Sequence, residues 1–498
     1  MKKPFSAFAG VFLFLTAFGL CADSAWAQNK DWLSRTYDRT ISEEWMDIHF
    51  NGQKIGFSYQ KTEQGPKGYR ITGRAVIRFQ IAETTQDMSF ARTFYLDPDK
   101  GARGFISLQT IGDQRQRTVG EVIGGELVLD ITGAGGESRV VKKLSPSVQF
   151  METLELLILE KLKPGTKMTI PVFLVEMRTQ DTIDIEISRD MAKVPGVDGK
   201  PVDAYVVESR IQGMATKSYI TPSGEKLKEE SVMGFTSVRT DENGAAKFPT
   251  ALIPVTSLIT FSLIKPDKPI ESQSGIKELK LSLSGFNSPV TIPSDTRQVV
   301  GTGSWGKNAV GKSVLAIPIT IVRQEPPAAM TIQQAGKAQP GQTAPSPEIQ
   351  SDNKMILKEA RAIVGAQKDV YKASVAINRW VYANIKKKLV DSFTAVDVLL
   401  SKEGECQSHS NLFVAMARSV GIPARVAAGI VYSTEHQGFL YHAWPEVYVG
   451  SWISMDPTLG QDLADATHVK LAGGEMEELV KLFQFLAKTN IAVEGVAR

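Results

Sequence analysis

Cys406, His442 and Asp456 are a thiol, an imidazole and a carboxylate that could together do covalent chemistry. Cys406 sits in Gly404-Glu405-Cys406-Gln407-Ser408-His409-Ser410. Leu412, Phe413, Met416, Ala417 and Val420 then recur at a 3.6-residue period until Gly421 and Pro423 stop the pattern. Cys406 is therefore predicted as the first residue of a buried helix. Unpaired N–H groups and the positive end of the helix dipole favour a thiolate there. A thiolate can attack a carbonyl carbon, and the same N–H groups can receive the oxyanion. An imidazole can carry the proton near neutral pH, and a carboxylate fixes its tautomer. The opposing reading is that Cys406 is a small apolar residue packed in a core.

The elements that must position these groups are a helix for Cys406 and a hairpin for the other two. Ala424 to Tyr432, Tyr441 to Val449 and Trp452 to Met455 read as strands, the last two joined through Gly450-Ser451. A strict two-residue turn would pair Val449 with Trp452 and point Asp456 away from His442. A three-residue connection, or one bulge, brings Asp456 to the His442 face, diagonally across at roughly 7–8 Å. Glu446 is the competing orienter, because alternation puts it on the His442 face. Cys406, His409, His436 and His442 could be read as metal ligands, but no CxxC or HExxH pattern accompanies them, so neither metal nor cofactor is expected. Trp444 and Trp452 are expected in the core or the cleft wall. His468 is expected to line the site or to satisfy a buried carbonyl.

The run from Cys406 to Val426 resembles the transglutaminase-like superfamily. So do Tyr441-His442-Ala443-Trp444-Pro445-Glu446-Val447-Tyr448-Val449, Trp452, and Asp456-Pro457-Thr458. Asp465-Ala466-Thr467-His468 is similar to a tail in bacterial members. The resemblance covers about Asp352 to Leu471 and implies a papain-like α/β fold with Cys406, His442 and Asp456 as a triad. One departure stands out. Papain-like proteases carry a Gln shortly before the cysteine as an oxyanion donor, and Leu400 to Glu405 contains none; Gln407 and the Cys406 N–H are the candidates instead.

A chain of 498 residues is too long for one core. Its net charge of +3 gives no reason to expect nucleic acid or an anionic membrane as partner. Lys2 and Lys3 before the apolar run Phe5 to Leu20, then Ala25-Trp26-Ala27, read as a cleaved export signal over residues 1–27, with Gln28 the first mature residue. The short signal points to a bacterial periplasm, and no later stretch is apolar enough to span a bilayer. Cys21 leaves with the signal, so Cys406 remains as a single thiol in an oxidising compartment.

Residues 28–250 read as a β-rich domain. Trp45 to Phe50 turns at Asn51-Gly52, and further strands include Tyr69 to Ala82, Met88 to Leu96 and Arg103 to Thr110. One buried helix is expected from Ser147 to Lys163. Residues 251–323 read as a small β section. Residues 324–351, with Pro326, Pro327, Pro340, Pro345 and Pro347 and few large apolar residues, are expected as a disordered linker. Residues 352–498 read as the catalytic unit, with helices around Met355 to Val364 and Val370 to Ile385, a capped helix after Thr394, and a last helix from Glu475 to Lys488. The expectation is an exported acyl-transfer enzyme acting on a protein or peptide, cell-wall peptide being one candidate. The rival is a binding protein with a vestigial triad.

Overall fold

A computed structural model describes residues 30–81, 84–231, 234–247, 263–308, 310–388, 394–486 and 488–498. Residues 1–27, expected as an export signal and including Cys21, lie outside them. Asn51 and Gly52 close the first hairpin at φ 47° and 82°. These positive angles match the twist of the flanking strands. From Arg39–Phe50 the chain meanders outward, strand beside strand, to Gly136–Lys143. It then crosses over and returns from Lys167–Leu174 to Phe235–Thr240, which pairs with Arg39–Phe50. Among the described residues these strands thus form one fifteen-stranded sheet. So long a twisted sheet must curl, and its two arms close on a helix, Leu154–Glu160. Leu156 packs with Phe94 and Phe105 of one arm and with Phe150 at the end of the other, where Leu154 and Ile158 pack with Ile183, Ile185 and Val207. The helix is shorter than expected, because Gln149–Phe150 is extended and Met151–Thr153 forms a 3₁₀ turn.

The C-terminal part has three layers. Helices Lys354–Val364, Val370–Asn384, Ala395–Ser401 and Cys406–Ser419 form the first. Behind them lies a four-stranded sheet in the order Trp452–Ser454, Gly438–Tyr448, Ala424–Ser433, Val469–Gly473. Ile356, Ile377, Leu412, Phe413 and Met416 pack against Val426 and Val447 to join these layers. The described part of the 251–323 section, residues 263–308 and 310–323, supplies the third layer, a sheet built on Glu278–Phe286 and Ser313–Val322. Leu279, Leu281 and Leu283 alternate inward and pack on Ile430, Phe439 and Leu471. Asn490–Ala497 pairs with Glu278–Phe286 and completes this sheet. The middle strand Ala424–Ser433 is therefore buried on both faces and nearly continuous in apolar residues. The expected last helix is a 3₁₀ helix over Met476–Gln484.

The expectation of a disordered linker is corrected. Thr331 and Gln334 form a capping box for a helix over Ile332–Ala338. Ala335 and Ile349 are buried in the core that carries the Cys406 helix. The Gln324 amide grips the edge strand through Trp452 O, at 2.9 Å, and Ser454 N–H, at 3.0 Å. Composition understated this segment because its order comes from a few anchors and from backbone groups paired with neighbouring elements, such as Val370 N–H to Met330 O and Ala395 N–H to Glu348 O. Limited proteolysis is expected to spare residues 324–351 as fully as the Cys406 helix. A preferred cut between Gln324 and Ser351, read by mass spectrometry, would count against the ordered path.

Candidate active site

Cys406 opens its helix, and Glu405 caps it. The Glu405 carboxylate accepts the N–H of Gln407 at 2.6 Å and of Ser408 at 3.2 Å. Its other oxygen lies 2.8 Å from Cys406 Sγ and accepts the thiol proton. Two N–H groups expected to serve an oxyanion are thus directed to a carboxylate. One turn on, the Ser410 hydroxyl lies 2.8 Å from Cys406 O and 3.1 Å from Ala443 O, stitching the helix start to the strand that carries His442.

The hairpin after His442 pairs Tyr448 with Trp452 and Val447 with Ile453. Its connection, Val449-Gly450-Ser451, has three residues, the irregular form that puts Asp456 on the His442 side. His442 Nε2 lies 2.7 Å from Asp456 Oδ2. Asp456 Oδ1 accepts the N–H of Thr458 at 2.7 Å and of Leu459 at 2.9 Å. A second imidazole shares Oδ2, with His468 Nε2 at 3.0 Å, and His468 Nδ1 faces Asp465 Oδ1 at 3.2 Å. The result is a buried row of His442, Asp456, His468 and Asp465. A carboxylate at each ring nitrogen favours the imidazolium form of His468, which donates from both. Burial opposes that charge, but the two carboxylates outweigh it and raise its pKa. Burial would likewise raise Asp456, yet the charges and hydrogen bonds of His442 and His468 hold it well below the usual carboxylate range. Asp465 is held low against burial by His468, Thr467 and Gln461.

The small β section holds this row in place. Arg297 Nη1 and Nη2 donate to His468 O at 2.6 Å and Asp465 O at 2.5 Å. The Gln298 amide bonds Lys470 in both directions, each at 2.8 Å. Gly429 lies opposite His442 in the ladder. A Cβ there would fall 2.0 Å from Val469 O, so the strand after His468 could not approach.

Other expected residues fall elsewhere. Glu446 is buried and spent on Arg425 and Lys470, each at 2.8 Å, so it does not orient His442. His409 is buried, with Nδ1 2.7 Å from Glu405 O and Nε2 3.3 Å from Ile385 O. His436 is exposed in the turn before Gly438. Trp444, expected in the core or the cleft wall, and His468, expected to line the site or satisfy a buried carbonyl, are fully buried behind His442, with their rings 5.2 Å apart. His442, Asp456 and His468 bring three ligand-type atoms within 4.8 Å of one another, but Asp456 Oδ2 already accepts from both rings.

Glu405, Cys406, Gln407 and His442 line a cavity of about 480 Å³. The Gln407 amide donates to Asn411 Oδ1 at 3.0 Å in that wall. Ser107, Gln109, Gln116 and Thr118 of the fifteen-stranded sheet line the same cavity from the other side. Sequence reasoning did not single out Glu405, although an acidic residue just before a predicted helix is a capping signal. It also gave Asp465 no role, despite its place three residues before His468. No sequence signal pointed to Arg297 or to the sheet wall.

Residues 358–457 match the transglutaminase-like superfamily. Among solved structures, a candidate cysteine protease from Cytophaga hutchinsonii is 18% identical, with 45% of this chain and 89% of that chain covered at a TM-score of 0.30. A beta-barrel-like protein from Brucella abortus, of a domain of unknown function, is 12% identical, with 41% of this chain and 97% of that chain covered at 0.32. A candidate protease from Parabacteroides distasonis is 11% identical, with 71% of this chain and 68% of that chain covered at 0.18. No curated protein matches the chain.

Proposed function

Taking residues 358–457 as a transglutaminase-like domain, we propose that this chain is an exported, cysteine-dependent acyl-transfer enzyme acting on a carboxamide or peptide bond. The observation that carries the reading is His442, held by Asp456 at 2.7 Å and lining the same cavity as Cys406. With Nε2 engaged by Asp456, Nδ1 is the ring nitrogen left to exchange a proton with the thiol. The thiolate attacks the carbonyl carbon and His442 protonates the leaving amine. Water or a second amine then releases the thioester, giving hydrolysis or cross-linking. Gln407, in the cavity wall beside Cys406, and the Cys406 N–H are the candidate oxyanion donors. No cofactor enters these steps. The substrate is a protein or peptide, with cell-wall peptide one candidate in a periplasmic setting. Export rests on Lys2, Lys3, the run to Leu20 and the Ala25-Trp26-Ala27 site. No described helix is long and apolar enough to cross a membrane.

One contact favours the rival, a binding protein with a vestigial triad. The Glu405 carboxylate beside Cys406 Sγ opposes a second negative charge. Iodoacetamide labelling from pH 5 to 9 separates the two. A working nucleophile labels rapidly well below the free thiol range near about 8.5. His442→Ala is expected to slow labelling at pH 6 by about tenfold or more, and Glu405→Gln to speed it there. Labelling that follows an ordinary thiol titration and ignores His442 would leave the fold and remove the enzyme.

A further inference from the structure

The β-rich region supplies one wall of the Cys406 cavity, and its chemistry there is unusual for the inside of a sheet. Phe105, Ser107 and Gln109 share one face of strand Ala102–Ile111. Phe105 is fully buried among Phe94, Leu127 and Leu129. Two and four residues later that face turns polar. Ser107 stands opposite Thr118 and Gln109 opposite Gln116, so the four side chains make one patch, and that patch lines the cavity. Ser107 is only 2% exposed, yet its Oγ has no hydrogen-bond partner among the described residues. Tyr441, the neighbour of His442, lines the same cavity, and its shielded hydroxyl also lacks a partner among the described residues. Burial pushes that hydroxyl's pKa up, so it stays a neutral donor. Both belong to residues that line one cavity, and a ligand drawn into it would satisfy them.

Charge narrows the ligand. Arg178 pairs with Glu348 at 2.6 Å, Glu176 with Arg92 at 2.6 Å, and Glu405 caps the helix. Each of these charged groups has a partner within the protein, although Arg178 Nε itself makes no hydrogen bond among the described residues. The hydroxyls and amides remain, with Ile111, Ile131 and Leu479 as apolar surface. A charged ligand would be desolvated there without a partner, whereas peptide amides would find donors and acceptors.

We propose that Ser107, Gln109, Gln116 and Thr118 form the substrate-selecting wall of the Cys406 cleft, and that it takes an uncharged, hydrogen-bonding peptide segment anchored by the Ser107 and Tyr441 hydroxyls. The wall rests on the reading of Cys406 as nucleophile for the identity of the reacting atom. The fifteen-stranded region is then part of the enzyme's specificity and not a separate module.

The test compares alkylation of Cys406 in the full chain by iodoacetamide with alkylation by three peptidyl chloromethyl ketones of equal length: uncharged, acidic and basic. Iodoacetamide is too small to reach the far wall, so the ratio of peptide ketone to iodoacetamide rates reads the wall alone. The uncharged ketone is expected to exceed each charged one by about tenfold. Ser107→Ala and Tyr441→Phe should each lower its ratio by about fivefold, the worth of one neutral hydrogen bond. Gln116→Lys should shift preference to the acidic ketone, an outcome that a folding defect cannot imitate. Equal rates for the three ketones, unchanged ratios in both hydroxyl variants, or no shift with Gln116→Lys would each overturn the wall. Slow iodoacetamide labelling with the peptide preference intact would remove the proposed enzyme and keep the wall. No labelling by any reagent would overturn both.

Discussion

Asp456→Asn is expected to lower turnover on the order of 10⁴-fold and to destabilise the protein by about 3–5 kcal/mol. In the native protein Asp456 accepts four hydrogen bonds, two from backbone N–H groups and two from imidazole rings. An amide has one acceptor oxygen. If that oxygen keeps Thr458 and Leu459, the NH₂ group faces the Nε2 atoms of His442 and His468. His442 must then move its proton to Nδ1, the nitrogen needed to receive the thiol proton. His468, whose charged form two carboxylates favour and which has no access to solvent, keeps a carboxylate on one side only. Asp456 and Asp465 are depressed, so their contribution is full above the unfolded value of about 3.9 and is lost as pH falls towards the folded values. His468 is raised, so its contribution is full below the unfolded value of about 6.5 and fades as pH rises through the folded value. Urea unfolding from pH 3 to 8 should show the largest gap between wild type and Asp456→Asn from about pH 4 to 6.5. Equal stability at pH 6 would mean that the row of four is not charged as described.

Arg178→Ala is the second large effect. Arg178 comes from the fifteen-stranded region and Glu348 from the ordered segment before the helices. Their 2.6 Å pair is nearly closed to solvent, at 6% and 11% side-chain exposure. Removing Arg178 strands a buried carboxylate, a change that typically costs about 3–5 kcal/mol. Burial already raises Glu348, with Arg178 pulling it back only in part. Without Arg178 it rises further, so the carboxyl takes a proton and the penalty shrinks as pH falls. The variant should match wild type below the unfolded carboxylate range near about 4.3 and fall behind as pH rises through the folded value. Lys142 would still reach Glu477 at 2.9 Å across the same junction, but that pair is too exposed to hold the wall over Cys406 alone. The wall should therefore loosen, and the peptide-to-iodoacetamide ratio should drop along with the stability. A variant with unchanged pH dependence would show that the two regions are held together by other contacts.

The parts of this arrangement that were legible in the sequence are local. A helix start, an amphipathic run and a Gly-Pro stop are written within twenty residues of Cys406, and the helix begins where the pattern begins. The same holds for Asn51-Gly52 and the Thr394 cap. The Asp456 position depended on one residue of register, which a Gly-Ser pair does not specify, so the sequence could only state the condition. Arg297 acts on residues about 170 positions later, and Ser107 faces Cys406 across the cavity. Neither relation leaves a periodic trace. The 324–351 segment misled because apolar content measures what a stretch can bury by itself, whereas Ala335 and Ile349 borrow the core of their neighbours.

The pairing of Asn490–Ala497 with Glu278–Phe286 bears on how such a chain can be inherited. The span that matches the superfamily, residues 358–457, contributes Ile430 and Phe439 to a core shared with Leu279, Leu281, Ile491 and Val493. Those partners lie on both sides of it in the gene. A recombination event with breakpoints at the edges of the recognisable span would carry Cys406, His442 and Asp456 into a new context, but not Arg297, His468 or the layer that covers the sheet. The transferable unit is the three-layer body, and its reading frame runs from before Leu279 to beyond Val493.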